Sequence, residues 1–263
     1  MSASPLLKID RLSVRFGGLT AIQDLSFEVA EGTVVSLIGP NGAGKTSAFN
    51  AITGYLAPAA GDVLFAGQRL NGLKTHQIAA RGLVRTFQKT SVFGGRSALE
   101  NVMIGLHLRS RQTTLAILLG LPSVGKDERE IEAEARRILD FVGLGARAAE
   151  LGSALAYGEQ RLLEIAVALA AKPRLLLLDE PVSGMNPAET GSFMQKLAEI
   201  RALGITVLLV EHDMKMVMGV SDRIVCLSQG HVIANGTPSE IQRDPAVIRA
   251  YLGERYAKKV AGA

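Results

Sequence analysis

Short apolar runs bounded by glycine, proline and acidic residues occupy both ends of the chain, and a long middle stretch shows helical spacing instead. Residues 6–16 alternate as a strand does and stop at Gly17-Gly18. Alternation resumes over 21–29, with Ile22, Leu25, Phe27 and Val29 as the inward positions. Glu31-Gly32 turns the chain into Val34-Val35-Ser36-Leu37-Ile38, a run apolar enough to predict a buried strand. A helix is expected over 47–53, a turn over 58–61, a short strand over 62–65, and another strand over 83–87 that ends at Gln88.

From residue 92 to 171 the strand patterns give way to successive helices. Ile131, Ala135, Ile138, Leu139 and Val142 fall on one stripe, Glu132 and Arg136 form an outward i,i+4 pair, and Gly143 is placed to cap the end. Residues 108–127, with Gly120, Pro122 and Gly125, read as an irregular excursion within this helical insert. A helix opening near Leu155 runs to Ala171 and is stopped by Lys172-Pro173. Four leucines, 175–178, then predict a strand buried on both faces, as in a parallel sheet. A helix from Pro187 to 203, a strand over 205–210, a strand pair over 223–228 and 231–234, and short helices over 239–243 and 245–252 complete the pattern.

Composition narrows the class. At 263 residues with 48% hydrophobic and 21% charged side chains, the chain can bury a core and stay in solution. A net charge of +4 without a basic stripe argues against nucleic acid as a partner. Arg255, Lys258 and Lys259 read as a solvated end. The single cysteine, Cys226, lies in an apolar run and reads as a buried, inert thiol, and no disulfide can form within the chain. The N-terminus lacks the charge-then-apolar pattern of a signal peptide. The apolar run 115–121 is far shorter than the roughly 20 residues that cross a bilayer. The expectation is a cytosolic protein, or one held at a membrane by something else.

Chemistry concentrates at strand ends. Gly39-Pro40-Asn41-Gly42-Ala43-Gly44-Lys45-Thr46 follows the first buried strand with the spacing of a phosphate-binding loop. Its glycines let backbone N–H groups turn toward an anion, Lys45 supplies a charge toward terminal phosphates, and the Thr46 hydroxyl suits Mg2+. Asp179 and Glu180 emerge at the end of the leucine strand, where open α/β sheets place ligands. Asp179 suits Mg2+ held through water, and Glu180 suits the orientation or deprotonation of an attacking water. His212 ends a further strand at the same sheet edge and is a candidate for contacting a γ-phosphate or the attacking water. The Gln88 amide could reach a metal or a water. Phe16, ending a hairpin just before the loop, is either a base-stacking ring or a core aromatic. His76, His107 and His231 read as surface or packing residues.

With these residues in order, the chain resembles the ATP-binding-cassette ATPases over nearly its whole length. The phosphate loop at 39–46, Gln88, the signature segment Leu155-Ala156-Tyr157-Gly158-Glu159, the Asp179-Glu180 pair and His212 as switch histidine follow the family's sequence of motifs. The resemblance implies an α/β fold: a P-loop NTPase (ABC ATPase) core with an N-terminal antiparallel β subdomain and an inserted α-helical subdomain. It would be one ATPase domain over 1–263, with 1–91 and 172–263 as core and 92–171 as the helical part. It implies ATP and Mg2+ as ligands. The nucleotide set would be Phe16, Gly39, Asn41, Gly42, Ala43, Gly44, Lys45, Thr46, Ser47 and Gln88, with Ala156, Tyr157, Gly158 and Glu159 of the signature. Thr46, Gln88 and Asp179 would serve the metal, and Glu180, His212 and Lys45 the reaction.

The partners implied are a second ATPase subunit, the same or different, transmembrane permease subunits, and indirectly a solute-binding protein. The chain would sit on the cytoplasmic face of the inner or plasma membrane. Ala156 stands where the family usually has serine, Tyr157 where it has glycine, Glu159 where it has glutamine, and Asn186 where it has aspartate. The Leu-Ala-Tyr-Gly segment with Gln160-Arg161-Leu162-Leu163-Glu164-Ile165-Ala166, Phe16-Gly17-Gly18, and the segment from Gly236 to Glu254 are similar to the larger ATPase subunit of branched-chain amino acid importers. Related ATPases serve urea or amide uptake, aromatic-acid uptake and lipopolysaccharide export, and the sequence leaves these open. A ribosome- or DNA-acting cassette protein would carry tandem cassettes or long coiled coils, and a GTPase an Asn-Lys-x-Asp segment; neither pattern is present.

Overall fold

Three predominantly apolar runs set the architecture. Val34-Val35-Ser36-Leu37-Ile38, Leu175–Asp179 and Thr206–Val210 are buried at every position, so each must be covered on both faces. Each fully buried Leu or Val adds roughly 1.5–3 kcal/mol of hydrophobic stabilisation. Of their three polar positions, Ser36, Asp179 and Thr206, the first pairs with the Ser221 hydroxyl at 2.6 Å. The computed structural model describes residues 4–86, 92–107 and 122–252.

The chain falls into two compact units, one of Met1–Arg85, Arg174–Glu180 and Met194–Ala263, the other of Thr86–Pro173 and Pro181–Phe193. In the first unit, β1 (Leu7–Phe16) and β2 (Leu19–Val29) make an antiparallel hairpin. Ile22, Leu25, Phe27 and Val29 are all buried from β2. With β4 (Ala60–Phe65) and β5 (Gln68–Arg69) they form a four-stranded sheet of order β2-β1-β4-β5.

The second sheet of this unit has six strands: β3 (Val34–Ile38), β6 (Leu83–Arg85), β7 (Leu175–Asp179), β8 (Thr206–Val210), β9 (Arg223–Ser228) and β10 (His231–Gly236). Their order is β10-β9-β3-β8-β7-β6, parallel except for the β9–β10 hairpin. Helix α1 (Lys45–Ile52) contributes Ala48, Phe49 and Ile52 to the core that joins the two sheets. The second unit holds α3 (Ala98–His107), α4 (Pro122–Val142) and α5 (Tyr157–Ala170), which pack on one another. Its Glu132–Arg136 pair closes at 2.7 Å. Helix α6 (Pro187–Ala202) begins in the second unit's segment and ends in the first.

Several elements differ from the sequence pattern. The strand expected over 83–87 ends at Arg85, and Gln88 lies outside the described residues. Of the expected irregular excursion, 122–127 is the first part of α4, because proline needs no N–H in a helix's first turn. The remainder, 108–121, lies outside the described residues. Two short helices escape periodicity: α2 (Thr75–Ala80) and α7 (Met214–Val220), the latter capped where Asp213 Oδ1 accepts from the Met216 N–H at 3.0 Å. The chain closes with α8 (Pro238–Arg243) and α9 (Pro245–Leu252). Among the described residues no helix is long and apolar enough to cross a membrane.

Candidate nucleotide site

Strand register brings the candidate groups to one level. Leu37 of β3, Val210 of β8 and Asp179 of β7 are paired neighbours across three adjacent parallel strands. The residues after them therefore leave the sheet side by side: the Gly39 loop, Glu211-His212, and Glu180.

The loop between β3 and α1 is built by close backbone approaches. Gly44 has φ +104, and a Cβ there would lie 2.7 Å from the Ala21 carbonyl oxygen. The same carbonyl would lie 2.8 Å from a Cβ at Gly230, in the β9–β10 turn. Gly230 N–H donates to Ala43 O at 3.1 Å and Gln23 N–H donates to Gly230 O at 3.0 Å, so β2, the loop and that turn meet through main-chain atoms. Gly44 starts α1 without any side-chain cap, which leaves the helix's first N–H groups for an anion.

Lys45 is buried and donates to Gly39 O at 2.6 Å and Pro40 O at 3.1 Å. Burial holds its ammonium below the ordinary lysine value, opposed by the charges of Glu180, Cys226 and Asp179. A cavity of about 460 Å³ lies over the loop, lined by Asn41, Gly42, Ala43, Gly44, Lys45, Thr46 and Ser47, by Leu19, Thr20 and Ala21, and by Glu180 and Gln229. That is the size range of small-molecule sites. Phe16 pairs with Leu19 across the hairpin turn and is 50% exposed, which removes the core-aromatic alternative. Leu19, not Phe16, lines the cavity itself.

Glu180 adopts a left-handed conformation, φ +49, directly after β7, and its N–H donates to Val210 O at 2.8 Å. A side chain other than glycine held there is strained by about 1–3 kcal/mol, and such strain clusters at functional sites. His212 Nδ1 is 3.8 Å from Glu180 Oε1 and 3.6 Å from Glu211 Oε2. Asp179 is nearly buried and accepts from Arg85 Nη2 at 2.7 Å through Oδ2. Among the described residues no group of three or more His, Cys, Asp or Glu is poised to hold a metal alone. The donor set here, a Thr46 hydroxyl and the Asp179 carboxylate, suits a hard cation that takes its other ligands from phosphate and water.

In the second unit, Ala156 precedes α5 and its N–H donates to Glu159 Oε2 at 2.9 Å. Glu159 also lies 3.4 Å from Arg147. Ala156, Gly158, Glu159 and Asn186 line a hollow of about 280 Å³. Asn186 Oδ1 accepts from the Ala188 and Glu189 N–H groups at 2.9 and 3.0 Å, so an amide oxygen caps α6 as a carboxylate would. Tyr157 is 41% exposed and its hydroxyl donates to Ser183 O at 2.8 Å.

Two residues passed over by the sequence reading shape the site. Arg85 also donates to Asn50 Oδ1 at 2.8 Å and Thr53 Oγ1 at 3.2 Å, tying α1 to the Asp179 carboxylate. Buried Glu211 accepts from the His212 and Asp213 N–H groups at 2.7 and 3.1 Å and fixes the backbone under the histidine. An arginine closing an otherwise apolar strand, and an acid before the histidine, were the available signals.

Such a loop, at the carboxyl edge of a parallel sheet with an acidic pair and a histidine beside it, defines a nucleotide-binding cassette, and the chain belongs to the ABC transporter family, which it matches over residues 22–183. Residues 231–257 match a second family, the branched-chain amino acid ATP-binding cassette transporter. Over 251 residues the chain is 45% identical to the high-affinity branched-chain amino acid transport ATP-binding protein BraF of Pseudomonas aeruginosa, covering 95% of this chain and 98% of that one. It is 45% identical over 253 residues to the corresponding LivG protein of Escherichia coli K12, covering 96% and 99%. The ADP conformation of MJ1267, an ATP-binding cassette of an ABC transporter, superposes with a TM-score of 0.83 at 30% identity, covering 96% of this chain and all of that one.

Proposed function

We propose that the chain is the ATP-hydrolysing subunit of an importer for branched-chain amino acids, working as a single ATPase domain. The observation that carries the proposal is the cavity in which Glu180 faces the phosphate loop with Lys45 and Thr46. In this reading the loop's N–H groups and α1 bind the polyphosphate, and Lys45 exchanges its carbonyl partners for terminal phosphate oxygens. Glu180 takes the proton of a water aligned on the γ-phosphate, and His212 contacts that phosphate from the next strand. Thr46 and Asp179, with Gln88 as a further candidate, would hold Mg2+, which neutralises charge on the phosphates. Phe16, exposed on the hairpin opposite the cavity-lining Leu19, supplies a face for the base.

The substrate rests on similarity to proteins named for branched-chain amino acid transport and on the match of the C-terminal segment. The remaining parts follow from family membership. A second cassette, the same or different, closes over this loop with its own signature segment, permease subunits hold the pair peripherally at the cytoplasmic face of the membrane, and a solute-binding protein delivers the cargo.

The test is Glu180→Gln in the purified complex, with leucine uptake by proteoliposomes as a second measurement. ATP binding is expected to persist while turnover and uptake vanish. Turnover at the wild-type rate would remove Glu180 from its role. Uptake of urea, a short amide or an aromatic acid in place of leucine would reassign the cargo and leave the ATPase standing.

A further inference from the structure

Tyr157 opens α5 at a position that the cassette pattern gives to glycine, and its side chain makes a connection glycine cannot. Arg161 Nη2 and Nε donate to the phenol oxygen at 2.7 and 3.2 Å. With both lone pairs engaged, the hydroxyl proton has one direction left, toward the Ser183 carbonyl 2.8 Å away. Arg161 is itself immobilised: it is buried, pairs with Glu164 at 2.9 Å, and its guanidinium carbon lies 5.1 Å from the centre of the Tyr157 ring. The ring also covers Gly184, which has φ +83; a Cβ there would come within 3.2 Å of the ring.

The segment held in this way, Pro181–Phe193, groups with the second unit although it continues the chain directly from Glu180, which belongs to the first. We propose that Tyr157 is a positioning residue. It clamps the segment after Glu180 to the start of α5, so that a displacement of the signature helix is delivered along the chain to the carboxylate that works on water. This rests on the ATPase reading of Glu180. Tyr157 acts here through its hydroxyl and ring, separately from any contact its backbone makes with nucleotide.

Tyr157→Phe removes one oxygen and keeps the ring, so the fold is retained. In the assembled complex, kcat for ATP is expected to fall roughly tenfold with KM unchanged, the scale of losing the Ser183 bond, the one of the phenol's three that reaches the segment. In the isolated chain, amide exchange at Met185, whose N–H donates to Val182 O at 3.0 Å, is expected to accelerate by about the same factor. Exchange at Ala166 and Leu169 within α5 should stay at the wild-type rate. A wild-type kcat, an unchanged Met185 rate, or equal acceleration throughout α5 would each overturn the proposal. Loss of turnover in the wild-type complex would instead count against the ATPase reading, and the exchange measurement would still decide the clamp.

Discussion

Arg85 donates to Asp179 across 2.7 Å with both side chains sealed from solvent, at 7% and 6% exposure. A buried pair is costly to assemble, but removing one partner strands the other charge. Arg85→Met is therefore expected to lower unfolding stability by about 3 kcal/mol, and Asp179→Asn by less, because the amide oxygen still accepts. Urea denaturation of the nucleotide-free chain measures both. A loss below about 1 kcal/mol for Arg85→Met, within the range of exposed pairs, would show that the pair does not hold in solution.

Lys45 presents the opposite case. Its lowered pKa means that the charged ammonium is held less favourably in the fold than in water. The unfolded chain binds this proton more tightly, so the group's contribution to stability rises with pH between the lowered value and 10.5. Lys45→Ala should leave the nucleotide-free chain at least as resistant to urea as wild type at pH 7. The same variant should bind ATP at least tenfold more weakly, which titration with a fluorescent nucleotide would detect. Normal ATP affinity in that variant would contradict the loop's role.

Glu211 supports His212 through two charged hydrogen bonds to backbone. Glu211→Ala should cost about 2 kcal/mol and Glu211→Gln less than half of that. If His212 needs this platform, the alanine variant will also lose ATP turnover while retaining nucleotide affinity.

Burial raises the Cys226 thiol from 9.0 to about 11, with Asp244 adding to the shift and Lys45 opposing it. Its stabilising contribution is fully present below pH 9.0 and is lost as pH climbs toward about 11, because the unfolded thiol ionises first. Native protein should resist a thiol reagent at pH 8 and react once unfolded. Cys226→Ala should flatten the alkaline decline in stability; an identical decline would assign it to other groups.

The strands were the most legible part of the sequence. A run such as 175–178 has few alternatives to a strand buried on both faces, and Asp179 and Glu180 announce its end. The phosphate loop was equally visible, because its glycine spacing reflects backbone geometry that other residues cannot adopt. Short helices were not: Met214–Val220 spans about two turns, too few for a period to emerge, and its cap, Asp213, directly follows the His212 that drew attention to the strand end. Pairings between distant positions were not legible either. Nothing near Arg85 names Asp179 as its partner, since only the order of β6 beside β7 brings them together. Tyr157 was visible as a departure from the signature, while its target, Ser183, became apparent only with the loop in place.

The approach of one carbonyl, that of Ala21, to both Gly44 and Gly230 gives two loops far apart in sequence a shared vulnerability. A methyl group added at either would push on the same strand at the same carbonyl. A change in the β9–β10 turn, remote from any motif, should consequently present as a defect in handling nucleotide. A survey of damaging variants that looked only near the glycine-rich loop would misfile it as a surface change.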